Sequence, residues 1–166
     1  MSDNRLTIRR AVEDDDAVLL QIDQTAWDGS SGFPSYQETI QETFFARSGP
    51  EAHLVAEDDG VVVGYIRLQD KYQFPEGAGV LTINGLAVAL DARGRGVATA
   101  LLEAAAAEAG RRGARKISLH VHSTNTSARR LYERHGYVIE GVHPNEFFIE
   151  GTYIDAIDMA KTIEAN

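Results

Sequence analysis

A chain of 166 residues is long enough for one domain with a substantial core. It holds no cysteine, which excludes a disulfide framework, a thiolate metal site and a cysteine nucleophile. With 25 acids against 16 Lys and Arg the net charge is -9; this argues against nucleic acid as a partner and either suits cationic partners such as amines or only keeps the chain in solution. No apolar run approaches a membrane span, and Met1-Ser-Asp-Asn-Arg5 lacks the apolar centre of a signal peptide, so the expected location is cytoplasmic, with no membrane partner.

The elements read in order as follows. Arg5 to Arg9 alternates like a strand. Glu13 to Asp16 precedes an amphipathic helix through Val18, Leu19, Ile22 and Trp27, and the acids suit its first turn. Gly29 to Ser35 is a break, and Tyr36 to Ala46 reads as a second helix with Ile40, Phe44 and Phe45 on one side, ended by Gly49-Pro50. His53 to Glu57, the turn Asp58-Asp59-Gly60 and Val61 to Leu68 form a β-hairpin. Phe74 to Gly79 is a loop and Val80 to Val88 a strand. Val97 to Arg111 is a helix with Val97, Leu101, Leu102 and Ala105 as its core stripe. Ile117 to Val121, a short helix from Asn125 to His135, and strands Tyr137 to Val142 and Tyr153 to Ala160 complete the chain. No repeat or linker divides it, so residues 1–166 are expected to form a single domain. The unit from Val80 to Val121 should be a parallel, right-handed strand-helix-strand crossover.

The informative join lies between Val88 and Val97, where an apolar strand meets the alanine-rich helix through Gly94 and Gly96. The first amides of a helix have no internal partner and sit at its positive end, so such a loop can hold a phosphate or pyrophosphate without metal. It is not a P-loop, which ends in Gly-Lys-Ser/Thr. It is also a poor dinucleotide fingerprint, because Thr99 replaces the third glycine and Ser118 and Leu119 lie where an acid belongs.

Three motifs in order then carry a resemblance. Leu86-Ala87-Val88 closes the strand; Arg93-x-x-Gly96-x-Ala98 follows; and Asn125, Ala128, Leu131, Tyr132, Gly136 and Tyr137 match an Asn-x-x-Ala-x-x-Leu-Tyr-x-x-x-Gly-Tyr segment. Together they resemble the GNAT superfamily of N-acetyltransferases. The resemblance implies an α/β (α+β) fold: a mixed, mostly antiparallel sheet of six to seven strands with helices on both faces. It implies a single N-acetyltransferase domain and an enzyme that moves an acetyl group from acetyl-CoA, its co-substrate, to a primary amine on a small molecule or peptide N-terminus. With no cysteine to carry the acyl group, the amine would attack directly in a ternary complex. The rival reading is a catalytically weak CoA-binding module that regulates a partner. A homodimer would fit the family.

The same resemblance distributes roles. The loop of Arg93, Gly94, Arg95, Gly96, Val97, Ala98 and Thr99 would take the pyrophosphate. Leu86, Ala87 and Val88 would pair their main chain with the pantetheine arm, where the fourth and fifth strands part. Asn125 would either touch the cofactor or cap the helix after it, and both can hold. Tyr132 would stand beside the sulfur as general acid, since a phenol with pKa about 10 is protonated at neutral pH; without the motif it reads as a core aromatic. His120 occupies a position where relatives that act on protein N-termini often carry glutamate. Either it or a water chain would deprotonate the amine. His120 and His122 without a third ligand do not make a metal site. Trp27, Phe33, Tyr36, Glu146, Phe147 and Tyr153 are candidates for the acceptor pocket.

Overall fold

A computed structural model describes residues 5–28, 30–38, 42–46 and 48–164. Seven strands form one sheet: β1 (Leu6–Arg10), β2 (His53–Asp58), β3 (Val61–Asp70), β4 (Val80–Val88), β5 (Lys116–His122), β6 (Val138–Ile149) and β7 (Thr152–Thr162). Their order is β1-β2-β3-β4-β5-β7-β6, and every neighbouring pair is antiparallel except β4 and β5. The helices are α1 (Asp16–Thr25), α2 (Pro34–Glu38), α3 (Val97–Arg111) and α4 (Thr126–Arg134).

Two hairpins are set by two-residue turns. Asp59-Gly60 and Glu150-Gly151 both take positive φ, as a type I′ turn requires to match the strand twist. The long crossover from β4 through α3 to β5 is what a parallel pair needs.

Two cores lie on opposite faces of the sheet. On one, α3 buries Val97, Leu101, Leu102, Ala105 and Ala109 against Ala56, Ile66, Leu81 and Ile117. The small residues of α3 permit close approach, and so does the strand beneath. A Cβ on Gly64 would meet Val97 at 3.1 Å and Leu101 at 3.3 Å. On the other face, Leu19 and Ile22 of α1 pack with Phe44, Val55, Tyr65 and Ala87. Successive residues on β3 point to opposite cores, as Tyr65 and Ile66 do, where the strand is regular. Two bulges, at Ala56/Glu57 and Arg67/Leu68, shift that alternation.

Two expectations are corrected and one is extended. The segment from Tyr36 to Ala46 is not one helix: α2 begins at Pro34 and ends at Glu38, and Phe44–Ala46 is a separate 3-10 turn. Ile40, like Gly29, lies outside the described residues. The acids before α1 do sit in its first turns, with Glu13 and Asp14 exposed, but the other two do more than complement the helix end. Asp15 is buried, taking two 2.8 Å hydrogen bonds from Arg9 and one from the Val12 amide, while Asp16 accepts from the amides of Phe44 and Phe45. β6 runs on to Ile149, past Val142, with its register broken between His143 and Phe147 around Pro144, which cannot donate to a ladder.

The Arg9 hydrogen bonds hold the Asp15 carboxylate below its ordinary range against the opposing effect of burial, and the Val12 amide adds to them. A carboxylate depressed in the folded state contributes stability in full above its unfolded pKa of about 3.9 and loses it as pH falls through the folded value. Asp15→Asn should therefore cost about 1–3 kcal/mol at neutral pH and soften the acid limb of stability. Urea midpoints measured from pH 7 downward check this; parallel curves for the two proteins would contradict it.

Candidate active site

Parallel pairing between β4 and β5 stops at Ile83 and Leu119. Immediately beyond it, Asn84 is the extra residue of the β3–β4 bulge. A bulge bends its strand and raises the local twist. From there Gly85 to Val88 pair only with β3, and His120 to His122 only with β7. The inner edges of both strands face each other across a wedge.

Two recesses open from this wedge. A groove of about 440 Å³ runs along Leu86, Ala87 and Val88 to the start of α3, lined there by Arg93, Gly94 and Gly96 and by Val97, Ala98 and Thr99. A larger cavity of about 1050 Å³ lies towards α1 and the β6–β7 hairpin. Trp27, Ser31, Leu86, Asn125 and Tyr132 line both, so the recesses meet at these residues.

At the groove's end, Gly94 and Gly96 have φ of 79° and 80°, the left-handed region that glycine enters without strain. Gly96 is the N-cap of α3 and has no side chain to bond the helix's first amides. Val97, Ala98 and Thr99 thus keep the orphan N–H groups of a first turn. Of the basic residues between positions 93 and 134, Arg93 and Arg134 line the groove, and several others are engaged elsewhere. Arg95 leaves the groove to pair with Asp58 at 2.6 Å and to donate to the Asp91 carbonyl. Arg93 donates to the Ala26 carbonyl at the end of α1. Arg111 and Arg112, with Arg10, are gathered by the buried Glu108, and Lys116 pairs with Glu140.

Tyr132 is buried on α4, and burial pushes its phenol up to about 12. Asn125 caps that helix, accepting the Ala128 amide at 3.3 Å, while still facing both recesses. His120 lies in the larger cavity, exposed, with Nδ1 hydrogen-bonded to Asp158 Oδ1. The other oxygen of Asp158 accepts from His143 Nε2 at 2.8 Å. Burial would raise Asp158, but the two histidines hold it below its ordinary value; Asp158 in turn raises His143. His122 is instead packed between Phe33 and Phe147, and burial lowers its pKa. No group of three metal-ligating side chains suited to an ion occurs among the described residues.

Trp27, Phe33, Tyr36, Glu146 and Phe147 line the cavity as expected. Tyr153 does not: it is exposed and packs on Phe148. The sequence reading also missed several groups. Asp158 stands directly across from His120 in the antiparallel register, a relation no local pattern reveals. Asp23 accepts from the Tyr65 hydroxyl at 2.5 Å and from Trp27 Nε1 at 3.1 Å; the i,i+4 spacing to Trp27 was a usable signal. Arg67 donates through Nε to His53 Nε2 at 2.9 Å. Burial, then the nearby Arg67 charge, pushes His53 down to about 4, so it is neutral. Since Arg67 can only donate, the proton of His53 sits on Nδ1, which donates to the Gly49 carbonyl at 2.9 Å.

Residues 17–137 match the model described as Acetyltransferase (GNAT) family, and the chain belongs to that family. The protein named Uncharacterized N-acetyltransferase YhfO, from Bacillus subtilis (strain 168), is 34% identical over 84 residues, 51% of this chain. That match spans 56% of the relative, little more than half its length. The structure of yncA from Salmonella typhimurium with its cofactor acetyl-CoA has a TM-score of 0.80 at 23% identity over 97% of this chain and 95% of that one. A GCN5-related N-acetyltransferase from Kribbella flavida gives 0.77 at 27% identity over 97% and 99%. A ribosomal-protein-alanine N-acetyltransferase from Brucella melitensis gives 0.77 at 23% identity over 94% and 99%. The expected mixed sheet with helices is thus the fold these proteins share.

No atom lies within 4 Å of a Cβ built on Gly96, so its replacement tests conformation alone. Gly96→Ala should lower stability by about 1–2 kcal/mol through the left-handed φ. An unchanged urea midpoint would mean that the loop does not need that backbone shape.

Proposed function

We propose that residues 1–166 form a single N-acetyltransferase domain that moves the acetyl group of acetyl-CoA to a primary amine by direct attack in a ternary complex. The observation that carries this reading is the junction of the two recesses at Leu86, Asn125 and Tyr132, in the wedge between β4 and β5. A thioester held in the groove and an amine held in the cavity would meet there.

The residues present fit a CoA diphosphate. The uncapped first turn of α3 offers main-chain donors at the positive end of a helix, and glycine keeps side chains off the approach. In this reading the amides from Gly94 to Thr99 take the diphosphate, with Arg93 and Arg95 contributing main chain only. Along Leu86, Ala87 and Val88 the outer edge of β4 is free, with the main-chain groups of Leu86 and Val88 turned away from β3, and pantetheine carries amides that can pair with it as an added strand would. Amides on that edge also serve as donors to the tetrahedral oxyanion.

An ammonium has no lone pair, so the acceptor must first lose a proton. His120 takes it, and Asp158, bonded to the opposite ring nitrogen, orients the imidazole and stabilises its charge. The amine nitrogen then bonds to the acetyl carbon, the C–S bond breaks, and the nitrogen's second proton leaves. Tyr132 supplies a proton or hydrogen bond to the departing sulfur. With its phenol near 12 against about 8.5 for a thiol, complete transfer to a free thiolate is uphill, so Tyr132 acts while the C–S bond is still breaking. The absence of cysteine favours this direct route over an acyl-enzyme.

Tyr132→Phe should lower kcat by about a hundredfold or more while calorimetric affinity for CoA stays the same. Equal loss of both would remove the assigned role. His120→Ala should remove one ionisation from the pH dependence of kcat/KM. An unaltered profile in His120→Ala would transfer the base role to solvent.

A further inference from the structure

The larger cavity carries an unexpected charge. The protein is strongly acidic, and the carboxylates of Asp23, Glu42 and Glu146 face this cavity, as an ammonium-bearing acceptor requires. Arg67 faces it too. Packing uses one part of this side chain: Nε is tied to neutral His53, and the guanidinium lies over Phe44, 5.5 Å from the ring centroid. The far end is nearly unused. Nη1 reaches only the Asn84 carbonyl at 3.4 Å, and no carboxylate among the described residues lies within ion-pair distance. A half-buried guanidinium with free donors and no counter-charge gains most from a planar anion that takes two parallel N–H bonds.

Its position limits the ligand further. Arg67 stands opposite Gly85 in the β3–β4 register, one residue before Leu86, where the recesses meet. A Cβ on Gly85 would stand 3.4 Å from Nη1, so the bare glycine leaves that end of the guanidinium accessible. One residue along a strand is about 3.4 Å. Arg67, Gly85 and Leu86 line one cavity, so a compact molecule can place an anion on Arg67 and a nitrogen in the wedge.

We propose that Arg67 is the carboxylate-binding residue of the acceptor subsite, and that the acceptor is a free α-amino acid. This rests on the acetyl-transfer reading of the same site. The Nη1 and Nη2 groups of Arg67 hold the carboxylate, the wedge receives the α-nitrogen, and the aromatic wall of Phe33, Tyr36 and Phe147 faces the side chain.

Trp27, the single tryptophan of the chain, lines both recesses and reports binding by its fluorescence. The CoA-loaded protein is titrated with the common L-amino acids and with their α-amides. At least one acid should bind roughly ten- to a hundredfold tighter than its own amide. Arg67→Gln should abolish that preference, and Arg67→Lys, a point charge without the fork, should keep part of it. The proposal is overturned if no amino acid perturbs the fluorescence, if amides bind as well as acids, or if the preference survives Arg67→Gln. Where Arg67→Gln fails to fold, Arg67→Lys decides: a full acid-to-amide preference in that variant overturns the assignment, and a reduced one supports it. Thiol release from acetyl-CoA separates the two readings. Arg67-dependent binding without transfer sinks acetyl transfer and leaves the subsite standing. Equal transfer to acids, amides and simple amines sinks the subsite and leaves the transfer.

Discussion

The structure depends on the place where β4 leaves β5. Pairing holds from Val80 to Ile83, and Asn84 then inserts itself into the ladder with β3. The bulge leaves β4 joined to one neighbour and β5 joined to the other. Backbone groups that a continuous sheet would consume face a wedge instead, and unpaired main-chain groups are strong recognition elements. Both recesses, the bare edge at Leu86–Val88 and the position of Tyr132 above it follow from this single interruption. The parallel crossover makes it possible, because α3 must start beyond the end of β4 and so delivers its first amides to the mouth of the same wedge.

Charge is arranged to suit that geometry. Two arginines of the glycine loop are held by the protein itself: Arg95 by Asp58 and Arg93 by the end of α1. What the loop turns to the groove is therefore fixed main-chain dipoles, which under the proposed reading would meet the diphosphate without reorganisation. In the larger cavity the polar groups are individually positioned. His53 is kept neutral and acts as an acceptor for Arg67, Asp23 is shared by Tyr65 and Trp27, and Asp158 is shared by two histidines. Each of these links joins residues of different elements or fixes a long side chain, which is how a cavity acquires a definite shape.

The division between what the sequence revealed and what it hid is physical. Helix α3 from Val97 to Arg111 and the glycine turn before it were legible because their causes are local: a 3.6-residue apolar stripe, alanine spacing and two glycines. The hairpin turn at Asp59-Gly60 was legible for the same reason. Tyr132, Asn125 and the α3 loop came from motif spacing. The partner of His120 was not legible, because Asp158 lies 38 residues away and only strand register brings it near. The bulge at Asn84 leaves no mark in a single sequence, and neither does the diversion of Arg95 to Asp58. Asp15 looks in sequence like its exposed neighbours Glu13 and Asp14, and its burial on Arg9 was not legible. In each failure a long-range pairing overrode a sound local rule.

The central claim is that the free edge of β4 and the uncapped turn of α3 together bind CoA. Amide hydrogen exchange, read residue by residue by NMR with and without CoA, tests it most directly. The account requires new protection at Leu86 or Val88, whose amides face away from β3, and at Val97 to Thr99, with little change in β1 and β2. Saturable CoA binding that leaves those amides exchanging as before, or no binding at all, would contradict it.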